Sequence, residues 1–217
     1  NGGGIWGKSN FNWEINPPSN VFSPTNVVDN ANASLKNSSF IGGGQVGANY
    51  QFNNYVLGLE GDFDYAKFNA HRNVTAIITP TVSINVNEHA STDWLSTVRA
   101  RIGYASNAWF LYGTGGLAIA KVHYSDELRF IQTNPSIYSE ASNKTETGWT
   151  AGGGLEWRFA TNWSAKAEYL YVDLGSKAYT TYRQRVLTGI VEPQGFINHN
   201  HNLTASVARL GVNYLWS

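Results

Sequence analysis

Three carboxylates spaced two residues apart, Glu60, Asp62 and Asp64, and two guanidinium groups with the same spacing, Arg99 and Arg101, are the densest chemistry in this chain. Neighbouring carboxylates suit general acid–base catalysis when their pKa values are driven apart. Arginines suit a different task, because the guanidinium fork binds carboxylates through two donors at once. A spacing of two puts residues on one face of a strand. Acidic and basic rows on strands sharing an interior would therefore form ion pairs. Glu156 with Arg158, Lys166 with Glu168, and Arg209 extend the set to five acids and five bases. Structural pairing is the expectation, with Arg99, Arg101 and Arg209 meeting Glu60, Glu156 and Glu168. Catalysis is the lesser alternative, since no nucleophile beside a base is recognisable. The chain is read as a non-enzyme.

Other groups carry less. All five histidines (His71, His89, His123, His199, His201) fall in or beside polar stretches. Imidazole is a good ligand, so His199 and His201 are weak candidates for metal or heme capture; no cofactor is otherwise indicated. The glycines at 42–44, 113–116 and 152–154 precede no helix and are not read as phosphate loops. Cysteine is absent, which removes disulfides and thiolate chemistry. Lys plus Arg and Asp plus Glu are equal at 15, so no basic field suggests nucleic acid as a partner.

The elements that must hold these charges have period two. In residues 55–68, Tyr55, Leu57, Leu59, Phe63 and Tyr65 alternate with Gly58, Glu60, Asp62 and Asp64. The same alternation sets Trp94, Val98, Ile102 and Tyr104 against Arg99 and Arg101. It recurs in 149–159, 163–172 and 207–216. Eight strands are expected, near 3–9, 38–52, 55–68, 91–105, 108–124, 146–159, 163–175 and 202–216. Tight turns at 53–54, 106–108 and 161–162 alternate with long polar connections at 10–37, 69–90, 125–145 and 176–201, read as loops. The first strand looks truncated, and residues 1–217 read as one domain.

Short turns at one end and long connections at the other match an eight-stranded antiparallel transmembrane β-barrel. Charged residues are only 14% of the chain and glycines number 22. Small residues fill the polar face, as a narrow lumen requires. Trp94, Tyr104, Trp109, Trp149, Trp157, Trp163, Tyr214 and Trp216 are expected to form aromatic girdles at the two interfaces. A lumen this narrow, crossed by both signs of charge, should be plugged.

Several blocks resemble a known family: "EGDFDY", "VRARIGYA", "YGTGGLA" and "WSAKAEYLYVDLG". Together with residues 42–66, 94–120, 148–175 and 207–216, they are similar to the small OmpA-like outer-membrane proteins of alphaproteobacteria. That family comprises porin-like surface antigens of brucellae and rhizobia and hemin-binding proteins of bartonellae. The resemblance implies an outer-membrane location with termini periplasmic, loops extracellular and no peptidoglycan-binding domain. Family members end on an aromatic residue read by the barrel-insertion machinery, whereas Ser217 follows Trp216 here. The partners this implies are that machinery, membrane lipid and lipopolysaccharide. The expected function is a structural surface protein with a plugged, ion-paired lumen. The alternatives are a low-conductance porin and loop-mediated capture of heme or a host component.

Overall fold

A computed structural model describes residues 1–16, 33–79, 82–131, 136–185, 188–189 and 191–216. The eight strands are β1 (Gly2–Asn16), β2 (Ala33–Phe52), β3 (Tyr55–Thr79), β4 (Val82–Ser106), β5 (Trp109–Ile131), β6 (Ser136–Ala160), β7 (Trp163–Arg185) and β8 (Val191–Tyr214). Each pairs antiparallel with its sequence neighbour, and β1 pairs with β8 to close the ring. The expected tight turns are present. Asn53 and Asn107 take the left-handed conformation (φ 54° and 52°) that asparagine tolerates better than most residues.

The long connections are the main correction. Most residues read as loops at 10–37, 69–90, 125–145 and 176–201 continue as strand. β3 and β4 run 25 residues each, far beyond the ~9–11 a tilted strand needs to cross a bilayer. β1 spans 15 residues, about twice the expected segment. Residues 17–32, 80–81, 132–135, 186–187, 190 and 217 lie outside the described residues.

The barrel has two halves built on opposite plans. In the half next to the tight turns, apolar side chains face outward: Leu57, Leu59, Val98, Ile102, Leu111, Leu117 and Leu210 are exposed. Aromatic residues border this belt. On the turn side lie Tyr55 against Tyr104, Trp109 stacked on Trp157, and Trp163 against Tyr214. On the other side lie Phe63 stacked on Trp94 and Trp149 against Tyr171. These pairs place the expected girdle residues on two rings, with Trp216 exposed beside Tyr214.

Above the upper ring the plan reverses. Ile84, Val86, Val122, Leu128, Tyr138 and Leu203 are buried inside, while Asn85, Asn87, His123, Ser125 and Glu127 face out. The wall also divides there. Pairing of β2 with β3 stops at Ile41↔Ala66, and β6 and β7 share no pair between Trp149↔Asp173 and Ile137↔Gln184. Among the described residues the upper half is thus two four-stranded sheets, β3–β6 and β7–β8–β1–β2, packed face to face like a sandwich. They approach closely: a Cβ on Gly7 of β1 would sit 2.5 Å from the ring of Phe68 on β3.

Bulges mark the change of plan. The register slips at Tyr65/Phe68 in the β3–β4 ladder, at Thr92/Leu95 between β4 and β5, and at Asp173/Ser176 between β7 and β8. An extra residue bends a strand and re-aims its side chains. In β4 the buried positions are even up to Thr92 and odd from Leu95 onward. In β7 the slip contains Gly175, whose φ of 74° suits glycine.

Candidate functional site: the ionic lumen

The charges named from sequence converge inside the membrane half. Glu60 and Arg99 are direct cross-strand partners on β3 and β4, and Arg99 Nη2 lies 2.5 Å from Glu60 Oε1 and 2.8 Å from Asp62 Oδ2. Across the lumen, Arg99 Nη1 is 3.0 Å from Glu168 of β7, a charge contact without hydrogen-bond alignment. Arg209 of β8 reaches the opposite wall, with Nη1 2.5 Å from Asp64 and Nη2 2.7 Å from Asp62, while its Nε donates to Glu168 at 2.8 Å. Lys166 of β7 donates to Glu60 at 2.9 Å. Arg101 contacts Glu60 at 3.1 Å and Glu156 of β6 at 3.6 Å. Arg99 is 1% exposed, and every other member of this set is also buried.

Arg158 is the exception. Its position in the period places it on the lumen face, yet it is exposed at the turn-side mouth and makes no ion pair among the described residues. The expected ten-member network is therefore nine-membered, with Glu60, Asp62, Asp64, Glu156 and Glu168 against Arg99, Arg101, Lys166 and Arg209. Arg158 lies one alternation closer to the Thr161–Asn162 turn than Glu156, where the lumen opens to water.

Neutral groups complete the cluster, and sequence reading missed them. Tyr112 donates to Glu168 at 2.8 Å, Thr97 to Asp62 at 2.8 Å, and Arg101 Nε to Asn49 at 2.8 Å. Gln45 accepts from Lys166 at 2.7 Å. Tyr112 occupies a lumen position in the β5 alternation, so parity alone was a usable signal. Its ring needs room: a Cβ on Gly154 would meet its hydroxyl at 2.5 Å. Its hydroxyl and these amides supply bonds that paired charges alone leave unmet. A buried ion pair repays its desolvation only with such supplementary bonds. The arrangement bolts β2 through β8 to one another across the interior.

A second polar group lies within the sandwich. His201 Nε2 is 3.0 Å from Asp126 Oδ2, both buried, with the Tyr124 ring 5.0 Å from the imidazole. Arg72 meets buried Glu88 at 3.5 Å. His201 is thus a buried cross-sheet partner rather than a surface ligand, while the side chain of His199 lies outside the described residues. His123 is outward and above the belt, hydrogen-bonded by Asn143 at 2.6 Å and Asp93 at 2.9 Å. Among the described residues no three His, Asp or Glu side chains are arranged to hold a metal ion.

The chain is similar to known proteins. Residues 3–214 match the family model described as outer membrane protein beta-barrel domain. The chain belongs to that family. Over 141 residues it is 40% identical to the 31 kDa outer-membrane immunogenic protein of Brucella melitensis, covering 64% of this chain and 55% of that protein. It is 34% identical over 139 residues to the 22 kDa outer membrane protein of Rhizobium leguminosarum bv. viciae, covering 63% and 54%. The chain thus spans about half the length of these curated relatives. Among solved structures it is similar to the outer membrane protease OmpT of Escherichia coli (TM-score 0.45, 10% identity, 99% of this chain and 94% of that one). It is also similar to the N-terminal β-barrel domain of Pseudomonas aeruginosa OprF (TM-score 0.30, 13% identity, 96% and 100%). The barrel is an outer-membrane protein of a Gram-negative bacterium, with the tight turns periplasmic and the sandwich on the extracellular side.

Proposed function

We propose that the protein is a non-enzymatic structural component of the outer membrane, a rigid anchor whose lumen admits no solute and whose sandwich stands above the lipid. One observation carries this reading: Arg99 of β4 and Arg209 of β8 each bridge carboxylates on opposite walls, from β3 to β7. A solute would have to break these buried pairs, and stripping one partner from such a pair costs about 3–5 kcal/mol. The apolar core of the sandwich forms a second barrier farther along the same axis. The carboxylates that could act as acids or bases are already held by cations, which supports the non-enzymatic reading.

Planar-bilayer recording tests the proposal. Folded protein inserted at one copy per membrane should give no steady conductance above the bare bilayer. Stable, reproducible single-channel steps would overturn it in favour of the low-conductance porin. Heme capture receives no support from His201 or His123. His201 faces inward onto Asp126, and His123 is engaged on both ring nitrogens.

A further inference from the structure

Two histidines face each other on the outer surface of the sandwich. His71 of β3 and His89 of β4 are direct cross-strand partners in the antiparallel ladder, and both are exposed. The next pair along, Arg72 and Glu88, meets on the inner face. Neither imidazole makes a hydrogen bond or ion pair among the described residues. The pair is also open from the side. Pairing of β2 with β3 ends at Ile41↔Ala66, so no strand continues the ladder beside His71.

Direct partners on one face of such a ladder hold their Cβ atoms ~4.5–5.5 Å apart. From that spacing two imidazoles can converge on a single ion at ~2.0–2.1 Å from each nitrogen. The ladder fixes the two strands in advance, so the second nitrogen binds at high effective concentration. The surroundings suit a dication. Asn69 and Ser91 form the outward pair on the membrane side, Asn73 and Asn87 the outward pair beyond, and Ser125 flanks His89 on β5. All five are neutral and able to hydrogen-bond water on a metal. His123, one strand further on, is already held by Asn143 and Asp93. Spacing along the sequence does not reveal this pair, because only the register of β3 on β4 brings the two rings together.

We propose that His71 and His89 chelate one divalent transition-metal ion on the extracellular face of the barrel. Imidazole ligands suit Cu2+ and Zn2+, and the general order of affinities places Cu2+ first. The two histidines supply the protein ligands and water fills the remaining positions. The site is independent of whether the lumen conducts.

The test uses the full chain without an affinity tag, folded in neutral detergent and stripped with a chelator. It is titrated calorimetrically with Zn2+ and with Cu2+, and electron paramagnetic resonance of the Cu2+ form reports the ligating nitrogens. The wild-type protein should bind one ion per chain, Cu2+ more tightly than Zn2+, with two imidazole nitrogens on Cu2+. His71→Asn and His89→Asn should each weaken binding at least about tenfold, because either change removes the chelate. His123→Asn should leave it unchanged. All three positions lie on the outer face, and heat-modifiable migration on a denaturing gel verifies folding in each variant. Equal affinity in the wild type and the double variant His71→Asn, His89→Asn would overturn the site. So would a Cu2+ spectrum that survives the double substitution, which would assign the ion to other nitrogens such as the amino terminus. Full competition by millimolar Mg2+ would also overturn it, since that ion selects carboxylate oxygens over imidazole.

Discussion

The membrane half and the sandwich above it are made from the same eight strands, yet they solve burial in opposite ways. Inside the membrane half, side chains such as Arg99 and Glu60 are buried and Leu59 is exposed; in the sandwich, Leu128 is buried and Glu127 faces out. Lipid accepts the leucines and excludes the charges, so the charges turn inward and must pair. Water reverses the preference, so the apolar side chains turn inward and need only pack. The lesson is that solvent, rather than the backbone, decides which face of a strand becomes the core. Bulges let a strand change its answer part-way along.

That contrast can be broken in order of effect. Removing charge from the lower core should do most damage. Arg99→Ala leaves Glu60, Asp62 and Glu168 short of a counter-charge, and should destabilise the barrel by about 3–5 kcal/mol. Urea titration followed by tryptophan fluorescence would register the loss; an unchanged midpoint would make the network idle. In the sandwich the vulnerable term is packing. Leu128→Ala at a fully buried site should cost about 2–5 kcal/mol. Its signature should be proteolysis confined to the extracellular half, with heat-modifiable migration retained. Loss of both together would show that the halves melt as one.

Smaller effects sharpen the same comparison. Arg158→Ala removes a lumen-face charge already in water and should shift stability by no more than ~0.5 kcal/mol. A deficit near that of Arg99→Ala would return Arg158 to the network.

The smallest effect belongs to His123. Hydrogen bonds that the ring donates to Asn143 Oδ1 and then to Asp93 Oδ2 hold its pKa above the ordinary 6.5. A raised folded-state pKa means the contribution is fully present below 6.5 and fades as pH rises through the folded value. Protease resistance of the extracellular half should therefore decline slightly as pH rises above about 6.5, and His123→Asn should flatten that slope. A slope that survives the substitution would assign it to another group.

Much of the lower half was legible because its faces differ sharply. Tyr55, Leu57 and Leu59 against Gly58 and Glu60 is an alternation that lipid enforces, and the ion-paired lumen followed from parity alone. The upper strands were misread for two physical reasons. Their outward positions carry many Ser and Asn residues, types that favour turns. Residues 82–90 nevertheless alternate, with Ile84, Val86 and Ala90 inward, but Glu88 interrupts the apolar face. The slip at Asp93–Trp94 then shifts the phase between two correctly periodic stretches, so no single pattern spans β4. Arg158 was misplaced because parity reports direction and not depth.

The pairing of β1 with β8 runs from Gly2↔Leu210 to Asn16↔Phe196. The strand β1 therefore cannot find its second neighbour until β8 is available. Until that last strand arrives, the growing sheet has raw backbone along both margins, in an environment that offers hydrogen bonds no substitute. Closure should thus be a late event in maturation. A chain shortened within its final strand would have nothing with which to seal the cylinder and should be cleared rather than inserted.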